Sequence, residues 1–406
     1  MNDNNQVSKK SPAQKVPKNV VFMGLVSLFN DIASEMVYPI IPIFLNTVLK
    51  APISVIGFIE GLAESTASFL KLVSGWFSDK LEKRKPFVVL GYSLSSFSKL
   101  FLGFATSWPM VLFARFLDRF GKGARVSSRD ALILESVEPE NRGRAFGFHR
   151  SMDSIGAVVG PLLALLALVF FKEKLTTIFF LAFIPSIIGV LVLIVFVKEV
   201  KNKINSNREL SPPSKLRWSA FSSRFKIFLI ISAVFAIGNS SDAFLILRAQ
   251  NLGMSITLAV AAYVVYNISY ALFSYPAGIL SDKISPKKIL VGGYILFAIV
   301  YGGFGLIRTE NLVWILFFSY GIYMALTDGI SRAYIADTIP KEISGTAFGA
   351  QQMVSGLCIF LSSVLAGLLW KLFGPAVPFY FGSVTGMLSA ILLFFSRGRN
   401  DPSPEN

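Results

Sequence analysis

The sequence predicts an all-α integral membrane protein, with twelve transmembrane helices in two pseudo-symmetric six-helix bundles. Three observations lead there. Of the 406 residues, 53% are hydrophobic and only 16% charged, whereas soluble domains carry about a quarter charged residues. Twelve stretches approach the roughly 20 predominantly apolar residues that span the hydrocarbon. A short turn motif recurs at half the length of the chain.

Backbone groups in lipid must be satisfied within their own segment, and these runs exceed the roughly 10 residues of a barrel strand, so each is read as a helix. The first half holds spans 20–45, 53–77, 87–105, 109–132, 145–170 and 176–197. The second holds 225–247, 256–280, 289–307, 312–336, 347–370 and 379–395. Trp108, Trp314 and Trp370 near span ends suit interfacial anchors.

Lys and Arg in the loops set the orientation. One side carries Lys9, Lys10, Lys15 and Lys18, then Lys80, Lys83, Arg84 and Lys85, then Arg142 and Arg144, the basic linker, Lys283, Lys287 and Lys288. The other shows Lys50, Lys172, Lys174, Arg308 and Lys371. A multi-pass cell-membrane protein with both termini cytoplasmic is expected. The polar N terminus has no short apolar core with a small-residue cleavage site, so no signal peptide is read there. The expected divisions are a cytoplasmic tail (1–18), an N-terminal bundle (19–198), a cytoplasmic linker (199–224), a C-terminal bundle (225–396) and a second tail (397–406).

The formal charge of +15 falls between apolar stretches and gives no sign of nucleic-acid binding. Cys358 is the single cysteine and His149 the single histidine, which exclude an intrachain disulfide, a Cys cluster and a His-based metal site. Gly121-Lys122 lacks the preceding Gly and following Ser or Thr of a phosphate loop. No cofactor, metal or catalytic constellation is expected. The expected partners are the lipid bilayer, a small-molecule substrate and protons, with the chain a monomer.

A charge at bilayer depth costs at least ~2.5–3.5 kcal/mol on insertion scales. The spans nevertheless contain nine acids and ten bases, and this near balance favours ion pairing. In span four Arg115, Arg119, Lys122, Arg125 and Arg129 step by four, three, three and four residues, forming one stripe with Asp118 beside it. That stripe cannot face lipid. In span one Asp31 and Glu35 lie one turn apart. In span two Glu60, Glu64 and Lys71 share a face. These faces are expected to meet at a wet cavity, with Asp31, Glu35 and Asp242 as proton-coupling candidates and Glu60, Glu64, Arg115, Asp118 and Arg119 as cavity residues. Asp242 resembles the counterpart of Glu35, each following a Ser, and helix packing is its alternative role. Lys122, Arg125, Arg129, Asp130, Arg142 and Arg150 are expected to snorkel and pair as a cytoplasmic gate. Tyr263, Tyr266 and Tyr270 share a face of span eight with Asn267, and Gln351 and Gln352 begin the inner part of span eleven; these serve a substrate or merely pack. His149, beside Arg150 and Asp153, suits a gate hydrogen bond.

The halves are visible as repeats. Gly75-Trp76-Phe77-Ser78-Asp79-Lys80 recurs as Gly278-Ile279-Leu280-Ser281-Asp282-Lys283, offset by 203, and Ala145-Phe146-Gly147 recurs as Ala347-Phe348-Gly349, offset by 202. This G-x-x-x-D-K turn between helices two and three, repeated between eight and nine, resembles the loop signature of the major facilitator superfamily. Glu82 stands where that signature has Gly, and Ser285-Pro286 interrupt the second copy. The stretch with Asp118-Arg119-Phe120-Gly121-Lys122-Gly123, Arg129-Asp130-Ala131 and Arg142-Gly143-Arg144 resembles a prokaryotic branch of the same superfamily. The resemblance implies a 6+6 fold alternating access around a central cavity, with Asp79, Arg84 and Asp282 latching the halves on the cytoplasmic side. Gly156, Gly160 and Pro161 in span five resemble the start of the superfamily's antiporter signature, although Ala164 and Leu165 replace its closing glycines. A packing groove of small residues is the alternative.

Together these imply proton-coupled export of a small organic molecule by alternating access. The alternatives are proton-coupled uptake of an anionic metabolite held by Arg115 and Arg119, and a non-transporting membrane sensor or scaffold.

Overall fold

The computed structural model describes residues 17–80, 84–138, 141–172, 174–200, 221–339 and 344–396. Span one is broken into α1 (Lys18–Val37) and α2 (Ile40–Ile43), which runs into a π-helical turn at Phe44–Val48. It is followed by α3 (Ile53–Lys80), α4 (Lys85–Gly103), α5 (Trp108–Glu135), α6 (Arg142–Phe170) and α7 (Leu175–Phe196). Span seven is broken likewise into α8 (Ser223–Gly238) and α9 (Ala243–Asn251). The chain continues with α10 (Ile256–Lys283), α11 (Pro286–Leu306), α12 (Val313–Thr338), α13 (Ser344–Phe373) and α14 (Val377–Phe395).

The two breaks have local causes. Pro39 has no N–H to continue α1, and Asn239, Ser240, Ser241 and Asp242 offer the backbone side-chain partners in place of helical ones. Ser241 Oγ, for example, accepts the amide of Ala243 at 3.3 Å. Pro39 and Asp242 are the residues that start α2 and α9, and they stand 203 residues apart, as do both ends of α3 and α10. The register therefore makes Asp242 the equivalent of Pro39, and Gly238 the equivalent of Glu35.

Among the described residues, ten helical stretches are long and apolar enough to cross a membrane by composition. The remaining two of the twelve spans are α4 and α5, whose charges dilute their hydropathy. They pack on each other, and α5 packs on α3 as well, so their polar faces are turned into the protein. Large apolar side chains such as Phe170, Val195 and Phe395 are exposed on the outer surface, as a lipid-facing belt requires.

The helices alternate in direction between a terminal end and a far end. At the terminal end the Asn19 amide donates to Ser136 Oγ at 2.8 Å and to the Lys198 carbonyl at 3.2 Å, and Lys287 Nζ reaches the carbonyl of Ser396. The halves meet where α3 packs on α13, α6 on α10 and α2 on α9. At the far end they share one apolar core, with Ile43 and Phe44 from one half and Phe244 and Leu245 from the other. At the terminal end the N-terminal half has its own core of Met23, Val88, Leu132 and Leu193.

Candidate functional site

The α5 ladder faces inward. Arg115, Arg119 and Arg125 are 4%, 7% and 4% exposed. With Lys122 they line a cavity of about 120 Å³ whose other walls include Asp31, Glu35 and Tyr38 of span one, Lys99 of α4, and Asp118. Two close approaches position the acids. A Cβ at Gly156 would lie 2.8 Å from the Asp31 Cβ, and one at Gly160 only 2.6 Å from the Ile32 carbonyl oxygen and 2.8 Å from the Glu35 Cβ. The small-residue stripe of α6 thus seats α1 with both carboxylates on the cavity, which is the packing role weighed for that motif.

Three of the cavity's cations already hold carboxylates. Arg115 Nη2 lies 2.6 Å from Glu60 Oε2, Arg119 Nη2 lies 3.0 Å from Glu64 Oε1, and Lys99 Nζ lies 3.0 Å from Asp118 Oδ1. Glu60 is 1% exposed. Such a pair survives in a low-dielectric interior only because each charge has its partner. Glu60 and Glu64 stand behind the arginines and outside the cavity wall itself.

The C-terminal half supplies hydroxyls. Tyr263 Oη donates to Glu35 Oε2 at 3.1 Å, and Ser241 Oγ donates to Glu60 Oε2 at 3.4 Å. The hydroxyls of Ser241 and Tyr38 are 3.3 Å apart. Tyr320 Oη donates to Asp242 Oδ1 at 2.7 Å. Tyr266 sits among aromatic rings, 5.4 Å from Tyr263 and 5.1 Å from Tyr320. Asn267 donates to the Tyr263 carbonyl at 3.0 Å, and Gln351 turns along its own helix to Ser355 Oγ at 3.1 Å.

The expected gate divides. Arg150 does reach across the halves, 3.5 Å from Asp328, which also accepts from Tyr270 Oη at 2.9 Å. Arg84 instead pairs with Glu135 at 3.2 Å and Arg129 with its neighbour Asp130 at 2.8 Å, both inside the N-terminal half. Adjacent residues on one helix end cannot bridge to a partner bundle while they hold each other. Lys122 and Arg125, expected with the gate, line the cavity. The side chains of Asp79, Lys71, Arg142 and Asp282 lie outside the described residues. His149 Nδ1 lies 3.5 Å from Asp153 Oδ2.

Sequence reasoning missed Tyr38 and Ser241. Their signal was present: each flanks a break in its span, and they stand 203 residues apart. Lys99 and Asp328 lie within the spans, and helical spacing alone gives neither a role. Arg248, just past the end of span seven, donates to the carbonyls of Phe304 and Ile307 at 3.0 and 2.9 Å and so closes the end of α11.

Twelve spans in two related bundles, with ion pairs around an internal cavity, define a multi-pass membrane transporter. The sequence model of the Major Facilitator Superfamily matches residues 23–261 and 235–406, and the chain belongs to that family. An uncharacterized MFS-type transporter of Methanocaldococcus jannaschii is 40% identical over 390 residues, covering 94% of this chain and 96% of that protein. Among solved structures, a POT family transporter in complex with 5-aminolevulinic acid is similar with a TM-score of 0.79 at 13% identity, covering 94% of this chain and 96% of the other. The nucleoside transporter NupG is similar with a TM-score of 0.73 at 15% identity, covering 93% and 97%. At these identities the two structures share the fold alone.

Proposed function

We propose that the protein is a secondary transporter that couples the movement of a small organic molecule to protons by alternating access, with its termini in the cytoplasm. The supporting observation is the cavity: Asp31 and Glu35 line it without a cation within ion-pair distance among the described residues, so they are free to exchange protons as access alternates. The shared apolar core at the far end and the single described ion pair between the halves at the terminal end, Arg150 to Asp328, fit a carrier whose two ends open in turn. Of the two directions, export leaned on Gly156, Gly160 and Pro161, whose glycines act here as the seat of α1. The uptake reading gains from two cavity cations, Lys122 and Arg125, that no described carboxylate bridges.

The test is transport by purified protein in vesicles carrying an internal pH dye, screened with organic acids, amines and neutral drugs in both gradient directions. A transported solute should move protons. Asp31→Asn and Glu35→Gln should suppress that movement at least about tenfold while solute exchange without a gradient persists. Coupling unchanged in both variants would remove these carboxylates from the mechanism.

A further inference from the structure

We infer that Lys122 and Arg125 form the seat for an anionic group of the transported molecule, which enters the cavity together with a proton accepted by Asp31 or Glu35. This rests on the proton-coupled reading above. It replaces Arg115 and Arg119 as the expected anion holders.

Pairing decides which cations are available. Arg115, Arg119 and Lys99 are neutralised by Glu60, Glu64 and Asp118 at 2.6–3.0 Å. Lys122 lines the cavity, and among the described residues no ion pair or hydrogen bond holds its ammonium. Arg125 donates from Nη1 to Ser95 Oγ at 2.6 Å and lies over the Tyr92 ring at 4.5 Å. Both partners are neutral, so they fix the guanidinium in place and leave its charge uncancelled. The pair projects from successive inward positions of one helix, three residues apart, so one small ligand group can meet both.

Set against them are Asp31, whose described hydrogen bond comes from Asn30 Nδ2 at 3.4 Å, and Glu35, which accepts from Tyr263. From α5, Lys122, Arg125 and Arg119 act on these two carboxylates; α6 contributes Asp153, and Asp242 lies on the C-terminal side. Lys99 of α4 shares the cavity wall but is held by Asp118. Asp153 and Asp242 stand off the cavity wall; on the wall itself, with the three bonded pairs set aside, two cations face two carboxylates, unbridged. Ionised, they balance. A proton on either carboxylate shifts that balance by one positive charge at membrane depth, which is costly, and an anion on Lys122 and Arg125 shifts it back. Proton and anion thus bind cooperatively and travel in the same direction, and the loaded carrier reorients with the same charge as the empty one.

Thermal stabilisation of the purified full-length protein tests this with benzoate, lactate and inorganic phosphate as probes, and benzamide and lactamide as uncharged controls. At least one anion should stabilise the protein, about tenfold more tightly near pH 5 than near pH 8, and its amide should not. Benzoate or lactate binding separates an organic acid from free phosphate as the ligand. Lys122→Gln should weaken the anion at least about tenfold, and Lys122→Arg should restore it. Should Lys122→Gln unfold, Arg125→Lys replaces it, with the anion's pH dependence as the readout. The seat is overturned if no anion stabilises, if the amides match the acids, or if Lys122→Gln binds within about twofold of the parent. Neutral or cationic solutes that drive Asp31-dependent proton movement would overturn the seat and leave proton coupling standing. Absence of proton movement with tight, Lys122-dependent anion binding would do the reverse.

Discussion

On the inward face of the N-terminal half, Lys99, Arg115, Asp118 and Arg119 are tied into ion pairs; 203 residues on, the C-terminal half has Gly302, Phe318, Gly321 and Ile322. Glu60 and Glu64 are matched by Tyr263 and Asn267. The backbones are related, and their polar chemistry is not. One half concentrates charge, and the other lines the opposing face with tyrosines: Tyr263, Tyr266, Tyr320 and Tyr323 are all buried. A phenol gives the membrane interior a hydrogen-bond donor on a largely apolar ring, whereas each buried carboxylate demands a cation. The halves therefore divide the labour. The first holds most of the charged groups around the cavity, and the second supplies hydroxyls that touch those groups without altering the charge balance.

Equivalent positions offer the hardest test of that division. Glu60→Gln leaves Arg115 charged, buried and without its carboxylate, and should destabilise the protein by about 3–5 kcal/mol. Its counterpart Tyr263→Phe removes one hydrogen bond to Glu35 and should cost roughly 1.5–3 kcal/mol. Denaturant unfolding in detergent measures both. Replacing Glu60 and Arg115 together by Leu and Met should recover most of the loss, since the pair's cost lies in being broken. Equal losses at positions 60 and 263 would dissolve the contrast.

That contrast was only partly legible in the sequence. Composition and run length revealed the spans, because lipid admits few alternatives. Helical spacing revealed that Arg115, Arg119, Lys122 and Arg125 share a face. It could not say which carboxylate each would meet, since spacing fixes a face within one helix and leaves the register between helices open. Arg115 found Glu60 and Arg119 found Glu64 because α3 lies beside α5, a neighbour relation with no local signature. Lys122 was assigned to the gate by its distance from mid-span, but the helix turns it into the cavity. Asp242 looked like Glu35 by its preceding Ser, and the break in span seven moved it four residues out of that register.

The seat of α1 gives an intermediate effect. At Gly160 a methyl group would press on the Ile32 carbonyl at 2.6 Å and on the Glu35 Cβ at 2.8 Å, and helix backbones yield less readily than side-chain tips. Gly160→Ala should cost about 1–3 kcal/mol and displace Glu35 from the cavity wall. Gly147 on the same helix has open space around its Cβ position, so Gly147→Ala is the matched control and should be nearly neutral. A proton-coupling defect in Gly160→Ala and not in Gly147→Ala would tie the packing stripe to the charged half's function.

The smallest effect is expected where the halves touch through hydroxyls alone. Ser241 gives its proton to Glu60 at 3.4 Å or shares it with Tyr38 at 3.3 Å, while Ser363 Oγ accepts its backbone amide at 3.2 Å. The first two links cross between bundles near the far-end core, so under the proposed alternation they break when that end opens. Ser241→Ala leaves the Ser363 bond and the apolar packing intact; it removes the local bond from the Ala243 amide in either form, and with it the two links between the bundles, which are worth about 0.5–1.5 kcal/mol together. The loss of those two links falls on the closed far end alone, so the open form should gain up to about tenfold in population. A cysteine at Ala51, which is buried at the far end, reports this in a Cys358→Ala background: its maleimide labelling should quicken several-fold with Ser241→Ala. Labelling at an unchanged rate would mean that the apolar core alone closes this end, and that the hydroxyls between the charged and tyrosine faces carry no part of the alternation.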